Sequence, residues 1–158
     1  MANKPLAGVH RLVATTAPLR NNKNLRVIEE FRANGGFVTV RPPNGLLLLL
    51  HSRGARTGRE CVTPLIYRKD GERYVVLASM GGWKTHPAWY YNLVANPQAL
   101  IEVGSEVLAV NAVITEGEER ERLFLLHAES YPQFAYYQRK TARVIPVIVL
   151  ERGTAVAR

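Results

Sequence analysis

Three apolar runs, Leu46–His51, Val62–Arg68 and Tyr74–Ser79, are separated only by turn-length polar segments, and this spacing commits the middle of the chain to antiparallel strands. Lys69-Asp70-Gly71-Glu72 has the composition of a hairpin turn, and Arg41-Pro42-Pro43-Asn44-Gly45 breaks the chain before the first run. The leucines Leu46 to Leu50 read as a buried strand. A second hairpin is expected where Ala99–Val103 and Val107–Ile114 flank Gly104-Ser105-Glu106, and Val144–Leu150 supplies a closing strand. Asn24 caps a helix in which Leu25, Ile28 and Phe31 share a face until Gly35-Gly36 ends it. Pro87, with Thr85 or His86 as cap, opens a helix that stops before Pro97, and a further helix runs from about Glu116 to His127. Six strands joined mainly by hairpins give an antiparallel α+β barrel rather than alternating βαβ units.

At 158 residues, with 47% hydrophobic and 22% charged content, the chain has the size and composition of one globular domain. Within it, residues 1–36 form a basic, helical N-terminal segment and residues 37–158 the barrel. The single cysteine, Cys61, excludes an internal disulfide, and His10, His51, His86 and His127 are too scattered for a metal site. No apolar run approaches the roughly 20 residues of a membrane span, so a cytoplasmic location is expected. The net charge of +8 favours an anionic partner. No helix-turn-helix, finger or RNA-binding motif accompanies it, which argues against nucleic acid. The basic N-terminus reads first as a helix packed on the barrel or a frayed terminus, with peripheral association with the inner face of the cell membrane as the alternative. The oligomeric state is left open.

Two glycine-containing loops follow apolar runs directly. Arg53-Gly54-Ala55-Arg56-Thr57-Gly58-Arg59 spaces three guanidinium groups around backbone N–H groups, a pattern suited to a phosphate or carboxylate. It is not a P-loop, because a strand rather than a helix follows, and an exposed basic turn explains it equally well. Met80-Gly81-Gly82-Trp83 permits close backbone approach to a ring system or serves as a flexible connector. Together the loops suit a planar, phosphate-bearing coenzyme. Tyr131-Pro132-Gln133-Phe134-Ala135-Tyr136-Tyr137 concentrates aromatic rings that must face a pocket or a surface. Ser79, without His and Asp partners, is a hydrogen-bond donor rather than a nucleophile, and His86 and His127 read as cap and surface residues.

At these residues the sequence resembles the deazaflavin-dependent nitroreductase family, a branch of the flavin/deazaflavin oxidoreductases built on a split β-barrel. The match runs through Val27–Gly36, Gly54–Arg59, Thr63–Tyr67, Arg68–Ser79, Gly81–Pro97, Tyr131–Thr141 and Ile145–Glu151. It implies coenzyme F-420, an 8-hydroxy-5-deazaflavin, with FMN as the alternative, and hydride transfer to a quinone-like, nitroaromatic or other conjugated acceptor. The coenzyme-binding residues it implies are Arg53, Arg56, Thr57, Gly58, Thr63, Pro64, Val76, Leu77, Ala78, Ser79, Met80, Gly81, Gly82, Trp89, Tyr90 and Asn92. Ser79, Tyr131 and Tyr137 are the implied catalytic hydroxyls, and Ile66, Phe134 and Tyr137 the implied substrate pocket. Met80 and Cys61 stand where the family pattern has a lysine and an arginine, which leaves phosphate anchoring to Arg56. Ile66 and Phe134 replace tyrosines, which makes the pocket more apolar.

Overall fold

The computed structural model describes residues 22–39 and 46–153. Helix α1 (Asn22–Ala33) precedes strands β1 (Leu46–Arg53), β2 (Glu60–Asp70) and β3 (Arg73–Leu77). A 3-10 turn at Met80–Gly82 leads to α2 (Ala88–Ala95), then β4 (Gln98–Val103) and β5 (Glu106–Ile114). Helices α3 (Gly117–Ser130) and α4 (Gln133–Lys140) precede β6 (Val147–Arg152). The six strands close into a barrel in the order β1-β2-β3-β6-β5-β4, every neighbouring pair antiparallel, as the hairpin spacing requires.

The leucine run is continuous because both faces of β1 are buried. Leu48 and Leu50 point into the barrel with Val76, Ile101, Ile148 and Leu150, while Leu47 and Leu49 point outward beneath Val27, Ile28 and Phe31 of α1. Helix α1 is thus part of the barrel's packing rather than a separate segment. The remainder of the expected basic N-terminus, including Lys4, Arg11 and Arg20, lies outside the described residues. Helices α3 and α4 cover the outer face of β3 and β6, where Leu123, Phe124 and Phe134 meet Val75, Leu77, Val147 and Val149.

Two strand bounds need correction, and one segment gains a structure that the sequence left unassigned. Strand β6 starts at Val147, not Val144, because the chain ahead of it forms a connector that Pro146 ends. Strand β3 ends at Leu77, and Ser79 turns into helical backbone (φ −83°, ψ −36°). The aromatic cluster after Tyr131 forms helix α4, which sets Phe134 and Tyr137 one turn apart on a shared face.

Candidate active site

The barrel is split along one seam. Strands β2 and β3 pair only over Arg68–Asp70 and Arg73–Val75. The same register would set Ile66 opposite Leu77 and Pro64 opposite Ser79, but no ladder joins them. Ala78 donates its N–H to Pro146 O at 2.9 Å, so Ala78 and, two residues earlier, Val76 turn their backbone to β6. Leu77 therefore turns its N–H and C=O toward β2, and by the same alternation Ile66 and Pro64 turn theirs toward β3. Proline is tolerated in β2 because its missing N–H falls on this unpaired edge. The seam offers a donor and two acceptors at Ile66 and Pro64, with a further pair at Leu77.

Both glycine loops flank the seam. In the first, Gly54 and Gly58 close a tight turn through Gly54 N to Arg59 O (2.7 Å) and Gly58 N to Gly54 O (2.9 Å). Asn92 of α2 fixes this turn to the barrel, accepting from Ala55 N at 2.9 Å and donating to Ser52 Oγ at 3.2 Å. Arg53 donates to Gly58 O (3.2 Å), while the exposed guanidinium groups of Arg56 and Arg59 make no hydrogen bond or ion pair to the described residues. In the second loop Met80, Gly81 and Gly82 all hold left-handed backbone, φ +47°, +63° and +82°. Such strain in a non-glycine residue, Met80, is a mark of functional loops. Gly82 presses on α4 so closely that a Cβ there would lie 2.7 Å from Tyr137 O. Ser79, Gly82 and Tyr137 are thereby held together at the mouth of the seam.

A residue that the sequence reasoning passed over holds this loop. Arg143 donates from Nε to Trp83 O (2.8 Å), from Nη1 to Ala78 O (3.2 Å) and from Nη2 to Ser79 O (2.6 Å). Its Nη1 also lies 2.7 Å from His86 Nδ1. Burial and the adjacent guanidinium hold His86 below its ordinary pKa, so Nδ1 is an acceptor. The signal in the sequence was Pro146, whose missing N–H leaves Ala78 O without its β6 partner.

The structure brings together Ile66, Leu77, Phe134, Tyr137 and Tyr131 in one cluster on the outer side of the seam. It separates others. Val76 and Ala78 point into the barrel and give their backbone to β6, so of β3 it is Leu77 that faces the seam. Trp89 is a plug inside the barrel, with Tyr90 packed against the same interior cluster. Thr63 alternates with Val62 and Pro64 and turns its backbone to β1. The Tyr131 hydroxyl is already engaged, donating to Tyr67 O at 3.0 Å and accepting from Leu46 N at 3.1 Å, so it clasps β1 to β2 rather than standing ready for a substrate.

Two further features lie apart from the seam. A cleft of about 910 Å³ runs over the outer face of β1, β4 and β5 beside His51 and Glu60. His51 lies 2.6 Å from Glu102 and 3.1 Å from Glu60, and Arg32 Nε donates to Glu102 at 3.0 Å. This cleft adjoins neither Ser79 nor Tyr137, and of the expected site residues only Arg53 lines it, so the seam is the better candidate. The second is His127, expected at the surface but 0% exposed on α3. Among the described residues neither ring nitrogen has a hydrogen-bond partner, and burial pushes its pKa down to about 4. Among the described residues, no group of His, Cys, Asp and Glu is placed to hold a metal ion.

Residues 24–152 match the F420H(2)-dependent quinone reductase family. An F420H(2)-dependent quinone reductase of Mycobacterium tuberculosis is 39% identical over 126 residues, 77% of this chain and 85% of that protein. A solved F420-H2 dependent reductase is 40% identical with a TM-score of 0.62, over 66% of this chain and 93% of that one. The heme storage protein HutZ of Vibrio cholerae shares the fold at 18% identity, with a TM-score of 0.56 over 81% of this chain and 89% of that one. The seam, its two loops and these matches place the chain in the F420H(2)-dependent quinone reductase family.

Proposed function

We propose that this chain binds reduced coenzyme F-420 in the β2–β3 seam and reduces a quinone there. The observation that carries this reading is the unpaired seam between Pro64-Ile66 and Leu77-Ser79, flanked by the Arg56 turn on one side and Tyr137 on the other. The donor set fits. The Ile66, Leu77 and Pro64 main-chain groups match the alternating donors and acceptors of a deazaflavin's pyrimidine edge. From Arg59 to Pro64 the strand extends about 17 Å at roughly 3.3 Å per residue, the reach from such a ring to a phosphate at the end of its side chain. When bound, the reduced deazaflavin supplies a two-electron hydride donor that reacts sluggishly with oxygen.

The protein's own part is positional and electrostatic. The Arg56 side chain and the Arg56 and Thr57 N–H groups, which no turn bond uses, hold the phosphate, and Ile66, Leu77 and Phe134 form an apolar wall that excludes water. The Ser79 and Tyr137 hydroxyls donate to the quinone oxygen on which charge develops. A quinone is lipid-soluble, and the +8 net charge favours approach to an anionic membrane surface, where such an acceptor resides.

Anaerobic titration tests the reading. Reduced coenzyme F-420 is expected to bind with a spectral change and to be oxidised on addition of a quinone. Binding of FMN with no response to the deazaflavin overturns it. Ser79→Ala and Tyr137→Phe each should lower kcat with coenzyme affinity nearly unchanged, and wild-type turnover in both removes these hydroxyls from the mechanism.

A further inference from the structure

We infer that Arg143 is the positioning residue of this site, fixing the Ala78–His86 loop through three carbonyls and the His86 imidazole. The inference rests on the coenzyme reading above for its catalytic consequence, but the geometry stands independently. One guanidinium spans acceptors on Ala78, Ser79, Trp83 and His86, at 3.2, 2.6, 2.8 and 2.7 Å. Only a planar fork of five N–H donors can serve so many acceptors at once.

The loop needs an external hold. It carries three successive left-handed residues, Met80 to Gly82, and its 3-10 turn has no side-chain cap. Arg143 is itself held rigidly. Gln138 Nε2 donates to Arg143 O (2.8 Å), Ile145 N donates to Gln138 Oε1 (3.0 Å), and Arg120 Nη2 donates to Ile145 O (2.7 Å). The chain thus runs from buried Arg120 on α3 through α4 and the connector to the backbone of Ser79, the residue beside the reacting acceptor.

His86 makes the clamp proton-sensitive. The groups that face it are Arg143 from the connector and the rings of Tyr90 and Tyr91 from α2, at 4.6 and 5.7 Å between centroids. Among these only Arg143 is cationic at neutral pH. Protonation of Nδ1 would set a second cation against it and replace an acceptor by a donor, which opens the clamp. Since the neutral form is favoured in the folded loop, opening occurs as pH falls below the usual histidine value of about 6.5.

The test combines Arg143→Gln and Arg143→Lys with His86→Asn in the full chain. In the free protein, NMR titration of His86 is expected to move up toward its ordinary value in Arg143→Gln, with faster exchange of the Gly82 and Trp83 amides. In turnover, kcat should fall about ten- to a hundredfold in Arg143→Gln, with less loss in Arg143→Lys, which keeps one charge but not the fork. Wild-type turnover should decline on the acid side, and His86→Asn, which offers an acceptor but takes up no proton, should flatten that decline. An unmoved His86 titration with unchanged amide exchange overturns the inference whether or not the coenzyme binds. So does loss of thermal stability alone with kcat intact, or an acid decline that survives His86→Asn. Failure of wild type to bind the deazaflavin would instead remove the proposed function and leave the NMR arm to decide the clamp.

Discussion

Arg56 and His127 are opposite cases of a polar side chain without a partner among the described residues. Arg56 is exposed in the turn after β1. A shielded charge-assisted hydrogen bond contributes about 1.5–3 kcal/mol, so Arg56→Ala is expected to raise the coenzyme Kd about ten- to a hundredfold. A change under about threefold, or one that vanishes in salt, would show an ordinary surface arginine. His127 is buried with neither nitrogen satisfied among the described residues, edge-on to Phe134 at 4.6 Å and tilted against Tyr131 at 5.1 Å. Its folded pKa of about 4 lies below the unfolded value, so the unfolded chain takes up the proton first and stability falls as pH drops from 6.5 toward 4. The linkage amounts to on the order of 3 kcal/mol at 1.36 kcal/mol per pKa unit. His127→Phe should therefore raise stability by about 1 kcal/mol at pH 7 and by more at pH 4.5. Urea unfolding at both pH values measures it, and an equal loss of stability at the two would overturn the assignment.

The elements were legible in proportion to how local their causes are. The β1–β2–β3 meander and the β4–β5 hairpin were readable because apolar runs and turn residues lie within a few positions of each other. Helix α4 was not, since Gln133 to Lys140 has a polar composition and its Phe134 and Tyr137 could equally have lined a loop. The seam was legible only in outline. Pro64 marks an unpaired edge, but that Leu77 rather than Val76 faces it depends on which residues β6 engages. His127 misled for the related reason that a lone histidine on a helix says nothing about what α4 lays across it. Asn92 shows how one side chain couples two elements, tying α2 to the turn after β1. Asn92→Ala leaves Ala55 N and Ser52 Oγ without this partner. We expect a loss of about 1–3 kcal/mol and a weaker grip on the coenzyme phosphate, read by thermal melting and by Kd. Unchanged Kd in a destabilised variant would confine Asn92 to the fold.

For the whole molecule, two further buried ionisable groups bear on the pH range of stability. His51, whose pKa burial lowers but Glu102 and Glu60 together raise, stabilises at low pH and loses that contribution as pH rises through its folded value. Glu102, held down at about 2 by His51 and Arg32 against its burial, loses its contribution only below pH 4.5. Neither acts between pH 6.5 and 4.5, so acid weakening in that window belongs to His127 and His86. The seam has one more consequence. Two strand edges whose main-chain groups have no neighbour among the described residues are a template onto which another polypeptide can pair. Pro64 guards one of them, since a chain docking there meets no N–H and a bulky ring. Pro64→Val should therefore make the unliganded protein self-associate on storage, visible by light scattering, and saturating coenzyme should suppress it by occupying the edge. Equal scattering with and without proline would show that the edge needs no guard. The parting of two strands that would make room for a coenzyme also leaves backbone on which a second chain could build.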